Sequence, residues 1–167
     1  MAMLRPVSRL NSVVSKAARL SSASLQQRRE KGDLILTFAS PGDVYYVQQS
    51  VKQVDVPTLA GSVGILPDHV PWIGCLKPGL LSVFEESGTK VQYFVSSGTA
   101  TVNPDSSLQI LAEEAVPVDR LDTSAVTSGL AKAQQMVTSA PTDKEKAEAQ
   151  IEVECYEALQ KALLDKH

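Results

Sequence analysis

The residues able to do chemistry are few. The chain has two histidines, His69 and the terminal His167, and two cysteines, Cys75 and Cys155. Asp68 beside His69 joins a carboxylate to an imidazole, a combination that can supply a general base. Pro67 and Pro71 bracket that pair and no GxSxG serine stands near it, so the residues read as a histidine fixed in a stiff turn rather than half of a nucleophile–base couple. The cysteines lie 80 positions apart with no CxxC partner, which leaves neither a disulfide framework nor a thiolate zinc site and reads as two reduced thiols. Two histidines, one of them terminal, cannot make a HExxH helix, and no Gly-Lys pair exists to build a phosphate-cradling P-loop. Glu85-Glu86 and Glu113-Glu114 sit in or beside extended segments, where neighbours point to opposite faces, so neither pair converges on a substrate. Ser96-Ser97-Gly98-Thr99 has the composition of an anion nest, but a hairpin turn between strands accounts for it. No catalytic, cofactor or metal site is expected.

Charge is distributed unevenly. The chain carries 16 Lys+Arg and 19 Asp+Glu over 167 residues. Residues 1–29 hold six of the cations and no acid, leaving ten cations against nineteen acids in the rest, a net of −9. An acidic body excludes nucleic acid as an expected partner. In the leader, Arg5, Arg9, Lys16 and Arg19 fall on one helical stripe, and Met3, Val7, Leu10, Val14 and Ala17 fall about 200° away. An amphipathic, Arg- and Ser-rich, acid-free N-terminus is the pattern of a mitochondrial transit peptide, with processing expected near Leu20 to Ser22. The longest apolar stretch, Val70 to Phe84, is cut by Pro71, Lys77 and Pro78 and is shorter than the roughly 20 residues that cross a bilayer.

The elements that must position these residues follow from pattern. From Asp33 to about Val116, short β-branched or alternating segments stand between turn signals: 34–39, 51–56, 72–76, 80–85, 90–95, 100–102 and 108–112. Such spacing predicts an antiparallel sandwich or flattened barrel. Beyond Pro117 the period lengthens. Asp119 can cap a helix with apolar positions Leu121, Ala125, Leu130, Ala133 and Val137, and Ser139-Ala140-Pro141 interrupts it. Thr142-Asp143-Lys144-Glu145 fits a capping box, and Ala147, Ile151, Cys155, Ala158 and Ala162 follow at helical spacing, with Leu159 and Leu163 widening the stripe. Cys155 reads as a small packing residue on that stripe. The expected architecture is α+β: a leader and linker over 1–29, a β-sandwich over 30–117, and an antiparallel two-helix hairpin over 118–167.

One stretch carries a specific resemblance. Gly61-Ser62-Val63-Gly64-Ile65-Leu66-Pro67-Asp68-His69-Val70-Pro71, followed by Leu76-Lys77-Pro78-Gly79, is similar to the signature of the rotary ATP synthase family that joins the mitochondrial delta and bacterial epsilon subunits. Tyr93-Phe94-Val95-Ser96-Ser97-Gly98 and Leu108-Gln109-Ile110-Leu111-Ala112-Glu113-Glu114-Ala115 extend it, so that it covers nearly everything from Asp33 onward. The resemblance implies a non-catalytic central-stalk subunit that binds the gamma subunit and the ring of c subunits, with a small mitochondrial epsilon subunit beside it. It also implies a peripheral position on the matrix side of the mitochondrial inner membrane. Gly61, Gly64, Ile65, Leu66, Pro67, His69 and Pro71 become the expected contact loop toward the c ring. Leu121, Leu130, Ile151, Leu159 and Leu163 are the expected docking residues of the hairpin.

The sequence departs from that family at one motif. Many bacterial members carry [Ile/Leu]-Asp-x-x-Arg-Ala at the first C-terminal helix and bind ATP through it. Here Leu121-Asp122-Thr123-Ser124-Ala125 places Ala125 where the Arg would stand, which removes the guanidinium best suited to phosphate. A nucleotide-sensing module whose hairpin undocks to inhibit hydrolysis is therefore the alternative reading, and a stalk coupling subunit the leading one.

Overall fold

A computed structural model describes residues 32–165; the leader read over 1–29 lies outside the described residues. In chain order the elements are β1 (Leu34–Ala39), β2 (Val44–Thr58), β3 (Gly61–Ile65), β4 (Trp72–Leu76), β5 (Gly79–Glu85), β6 (Lys90–Val95), β7 (Gly98–Val102), β8 (Ser107–Ala112), β9 (Ala115–Pro117), a 3-10 turn (Val118–Arg120), α1 (Thr123–Ser139) and α2 (Asp143–Leu164). Hydrogen-bonded neighbours run from β2 through β1, β8, β7 and β4 and return to β2, where Thr58 pairs Leu76. β5, β6 and β9 extend outward from the C-terminal half of β2, so this long strand belongs to both layers of the sandwich.

The α+β expectation of a sandwich followed by two helices matches this architecture. Three details differ. β1 and β8 pair in parallel, which an antiparallel reading did not anticipate; they are remote in sequence, so no hairpin fixes their direction. β2 begins seven residues earlier than expected, and Gly61–Ile65 is a strand rather than part of a loop. Tyr46 and the polar run after it break the apolar alternation of β2, and two glycines lower the β-propensity of β3, so pairing rather than pattern makes both strands.

Alternation fills the space between the layers. Leu34, Leu36 and Phe38 of β1, Val54 and Val56 of β2, Leu81 and Val83 of β5, and Leu108 and Ile110 of β8 are all fully buried. At one corner Phe38 stacks on Tyr45 at 4.8 Å between ring centroids and meets Tyr93 edge-on at 5.2 Å. The Tyr46 hydroxyl donates to Glu85 Oε1 at 3.2 Å, and that of Tyr45 donates to the Ala115 carbonyl, tying the start of β9 to β2. Burial first, and Tyr93 second, push the Tyr46 hydroxyl far above its usual value, while burial likewise raises Tyr93. No described buried side-chain polar atom lacks a partner.

The segment Ser96-Ser97, expected as a hairpin turn, joins β6 to β7, which do not pair with each other; it is a crossing between layers. Gly98 follows it at φ +141°, and a Cβ there would lie 2.1 Å from the Leu111 carbonyl oxygen. Only glycine fits that corner.

The hairpin begins one turn later than Asp119 suggested. Asp119 lies in the 3-10 turn, and Asp122 is the cap, its carboxylate accepting from the Ser124 and Ala125 amides. Thr142 caps α2 through its hydroxyl, which accepts from the Glu145 amide at 3.3 Å. The buried seam runs through Val126 and Ala133 of α1 and Ala149, Val153 and Ala162 of α2. Ile151, expected among the docking residues, is instead 66% exposed. It lies two residues from both Ala149 and Val153, about 200° round the helix, on the opposite face. Small residues let the helices approach: a Cβ on Gly129 would lie 2.3 Å from the Tyr156 ring.

Candidate functional site

The expected contact loop divides into two parts. Gly61–Ile65 is β3, paired with β2 through Thr58↔Gly61, Val56↔Val63 and Val54↔Ile65. Gly61 takes a φ of +120°, whereas Gly64 has no positive φ and instead approaches Asp55, whose Oδ1 would lie 3.2 Å from an added Cβ. Ile65 is fully buried in the sandwich and is therefore a core residue, not a contact residue. Residues 66–71 alone form the loop.

That loop is short and internally braced. The His69 amide donates to the Leu66 carbonyl at 3.2 Å, and His69 Nδ1 lies 2.8 Å from the Val70 carbonyl oxygen. Asp68 occupies the left-handed region at φ +61°, a conformation that Asp tolerates better than most residues. Pro67 and Pro71 fix φ on either side. The brace leaves Leu66 51% and Val70 69% exposed, two apolar side chains on a stiff frame. The imidazole is held by its own neighbour's backbone, so Asp68-His69 serves the turn.

The α2 end of the hairpin packs beside β5 and encloses, with β2 and β3, an open cleft of about 490 Å³. Asp55, Ser62, Lys77, Lys161 and Asp165 line it, so the cleft carries two acids and two lysines. Leu121, Leu130, Leu159 and Leu163 are half-buried. Cys155 is half-buried too; burial, then Glu114 and Glu152, push its thiol up and keep it neutral. Cys75 is exposed on β4.

At the motif where bacterial relatives place Arg, Ala125 is exposed and its amide is bonded to Asp122. The Asp122 carboxyl is held below its usual range chiefly by the Ser124 hydroxyl, then by the backbone amides, so this acid is engaged as a helix cap. No group of three or more His, Cys, Asp or Glu able to hold a metal occurs among the described residues, and no described helix is long and apolar enough to cross a membrane.

A sandwich followed by a docked two-helix hairpin, with a stiff loop that exposes two apolar side chains, places the chain in the α+β class. The family model for the ATP synthase delta/epsilon chain beta-sandwich domain matches residues 34–118. The chain is 48% identical over 151 residues to the mitochondrial ATP synthase subunit delta of Caenorhabditis elegans, covering 90% of this chain and 91% of that one. It is 38% identical over 161 residues to the Agaricus bisporus counterpart, covering 94% and 99%. A solved Euglena gracilis mitochondrial ATP synthase, described as OSCP/F1/c-ring, contains a chain that superposes with a TM-score of 0.75 at 29% identity, covering 84% of this chain and 87% of that chain. The chain belongs to the ATP synthase delta/epsilon family. It is a mitochondrial, non-catalytic central-stalk subunit of that complex.

Proposed function

We propose that the chain couples rotation between the c ring and the gamma subunit on the matrix side of the mitochondrial inner membrane, with the loop 66–71 bearing on the ring. The observation that carries this reading is the braced loop itself: two prolines and the His69–Leu66 bond stiffen a frame that leaves Leu66 and Val70 outward. A contact that transmits torque must resist shear, and fixed φ angles supply that resistance. The composition of the assembly to which the Euglena chain belongs, F1 with c-ring, supports the ring as partner.

In this reading residues 1–29 are the removable leader and linker, 30–117 the sandwich, and 118–167 the hairpin. The hairpin stays docked, with Leu121, Leu130, Leu159 and Leu163 contributing the partly covered margin of its packing, and a small epsilon subunit takes its outer face near Ile151. Nucleotide sensing finds no support at Ala125, so it is not carried further. Recovery of the tagged chain from mitochondria tests the reading: gamma and c subunits should co-purify with it. Recovery without either would refute it.

A further inference from the structure

β3 is the one strand of the sandwich that pairs only with β2, and its second edge meets no other described strand. The backbone directions are fixed by hydrogen bonds to the neighbouring strands. The Leu59 amide donates to Cys75 and the Pro57 carbonyl accepts from Lys77, each at 3.2 Å, so Pro57 and Leu59 turn their backbone groups toward β4. Thr58, Val56 and Val54 therefore face β3 and exchange bonds with Gly61, Val63 and Ile65. The amides and carbonyls of Ser62 and Gly64 point the other way, at the free edge, and both residues are exposed.

This edge carries none of the usual protection. Edge strands are ordinarily blunted by Lys, Pro or a bulge. From Leu59 to Leu66 there is no charge, no proline and no register shift. Leu59 and Leu66 stand 75% and 51% exposed at its two ends. Beside it lies the cleft of about 490 Å³, lined by Ser62, by Lys161 and Ala162 of α2 and by Asp165 just beyond that helix. An open strand edge next to a groove that can receive alternate side chains is the geometry of strand addition.

We propose that β3 accepts, by β-augmentation, an uncharged extended segment of about five residues from another subunit of the assembly, apolar at both ends and with larger alternate side chains that enter the cleft. The apolar ends match Leu59 and Leu66, and the larger side chains fill the space that Ser62 and Gly64 leave. A second copy of β3 would bring the same small residues and leave the cleft empty. Of the chain's own residues before Asp33, Arg28-Arg29-Glu30-Lys31 is too highly charged for an uncharged edge, and the uncharged run upstream of it has only Ser and Ala between Leu20 and Leu25, side chains too small to fill the cleft. The inference rests on the chain working within the ATP synthase, and goes beyond the loop contact to the adjoining strand edge, which shares only Leu66 with that loop.

Hydrogen exchange at Ser62 and Gly64, compared between the isolated full chain and the intact complex, tests it. Both amides should exchange freely in isolation and slow by about tenfold or more on assembly. Equal rates in a complex that contains the chain would overturn the inference while leaving the coupling role intact; absence of the chain from the complex would overturn both. Protection already present in the isolated chain would assign the edge to the chain's own N-terminal segment, and protection that grows with its concentration would assign it to a second copy; either result overturns the proposal. Ser62→Pro removes one outward amide without touching the β2 pairing, and should lower incorporation about tenfold while Ser62→Thr keeps it. Normal incorporation of Ser62→Pro would count against strand addition, and should that variant not fold, the exchange comparison on the unaltered chain decides.

Discussion

The sandwich and the hairpin are held by different means. In the sandwich, Phe38, Leu34, Leu36, Ile65 and Leu81 are completely buried and come from strands far apart in the chain. In the hairpin the buried residues are two valines and three alanines, and larger apolar side chains such as Ile151 and Leu164 are 66% and 74% exposed. At roughly 25 cal/mol per Å² of apolar surface, small side chains stabilise a seam much less than a core of Leu and Phe. The sandwich is thus the more firmly held body, and the hairpin is a lightly held arm with an exposed outer face.

The largest expected effect is a cavity in the sandwich. Phe38→Ala removes the ring on which Tyr45 and Tyr93 pack and should cost about 3–5 kcal/mol, lowering the midpoint of chemical unfolding for the whole domain. Loss of only the hairpin's helical signal in that variant would contradict the division of labour. Next, Val153→Asp buries an acid in the helix seam and should free the hairpin without melting the sandwich. Ile151→Asp, on the opposite face, should leave the hairpin docked. Limited proteolysis around Ala140 to Thr142 separates them: rapid cleavage in Ile151→Asp, or none in Val153→Asp, would break the comparison.

A pH prediction sharpens the sandwich side. The Tyr46 hydroxyl ionises far less readily in the folded chain than at its ordinary value of 10.0. The folded state therefore holds that proton more tightly than the unfolded one. Its contribution is complete below pH 10.0 and declines as alkalinity rises beyond it. Denaturant midpoints across alkaline pH should fall in the unaltered chain and less steeply in Tyr46→Phe. Identical slopes would deny Tyr46 this role. The smallest effect is expected at the α2 cap, where Thr142→Ala should cost about 0.5–2 kcal/mol, seen as fraying of the first α2 turn in hydrogen exchange.

Sequence pattern revealed the sandwich and the paired helices because both write simple periods: alternation at Leu34, Leu36 and Phe38, and the capping box at Thr142. It did not reveal β3. Gly61 and Gly64 signal a turn when read locally, and only pairing with Val54 to Thr58 makes them a strand. Ile151 misled for a related reason. Its place on the apolar stripe put it among the docking residues, while close helix approach selects alanines, with Gly129 under Tyr156. The motif around His69 was visible as residues, but the brace that stiffens it depends on a backbone bond that no spacing encodes. Asp122 rather than Asp119 as cap follows from Pro117, which belongs to β9 and delays the helix by a 3-10 turn.

The central claim, that a braced loop carries load between rotor parts, is tested most directly by proton pumping and ATP hydrolysis measured together in assembled complexes carrying Val70→Asp. Val70 is 69% exposed and lies outside the β3 edge, so the sandwich should fold and the chain should enter the complex as before. The account predicts that hydrolysis by the catalytic head is retained while protons pumped per ATP fall severalfold, with His69→Glu giving a weaker loss of the same kind. Pumping and hydrolysis that both remain normal in complexes containing the variant chain would contradict it.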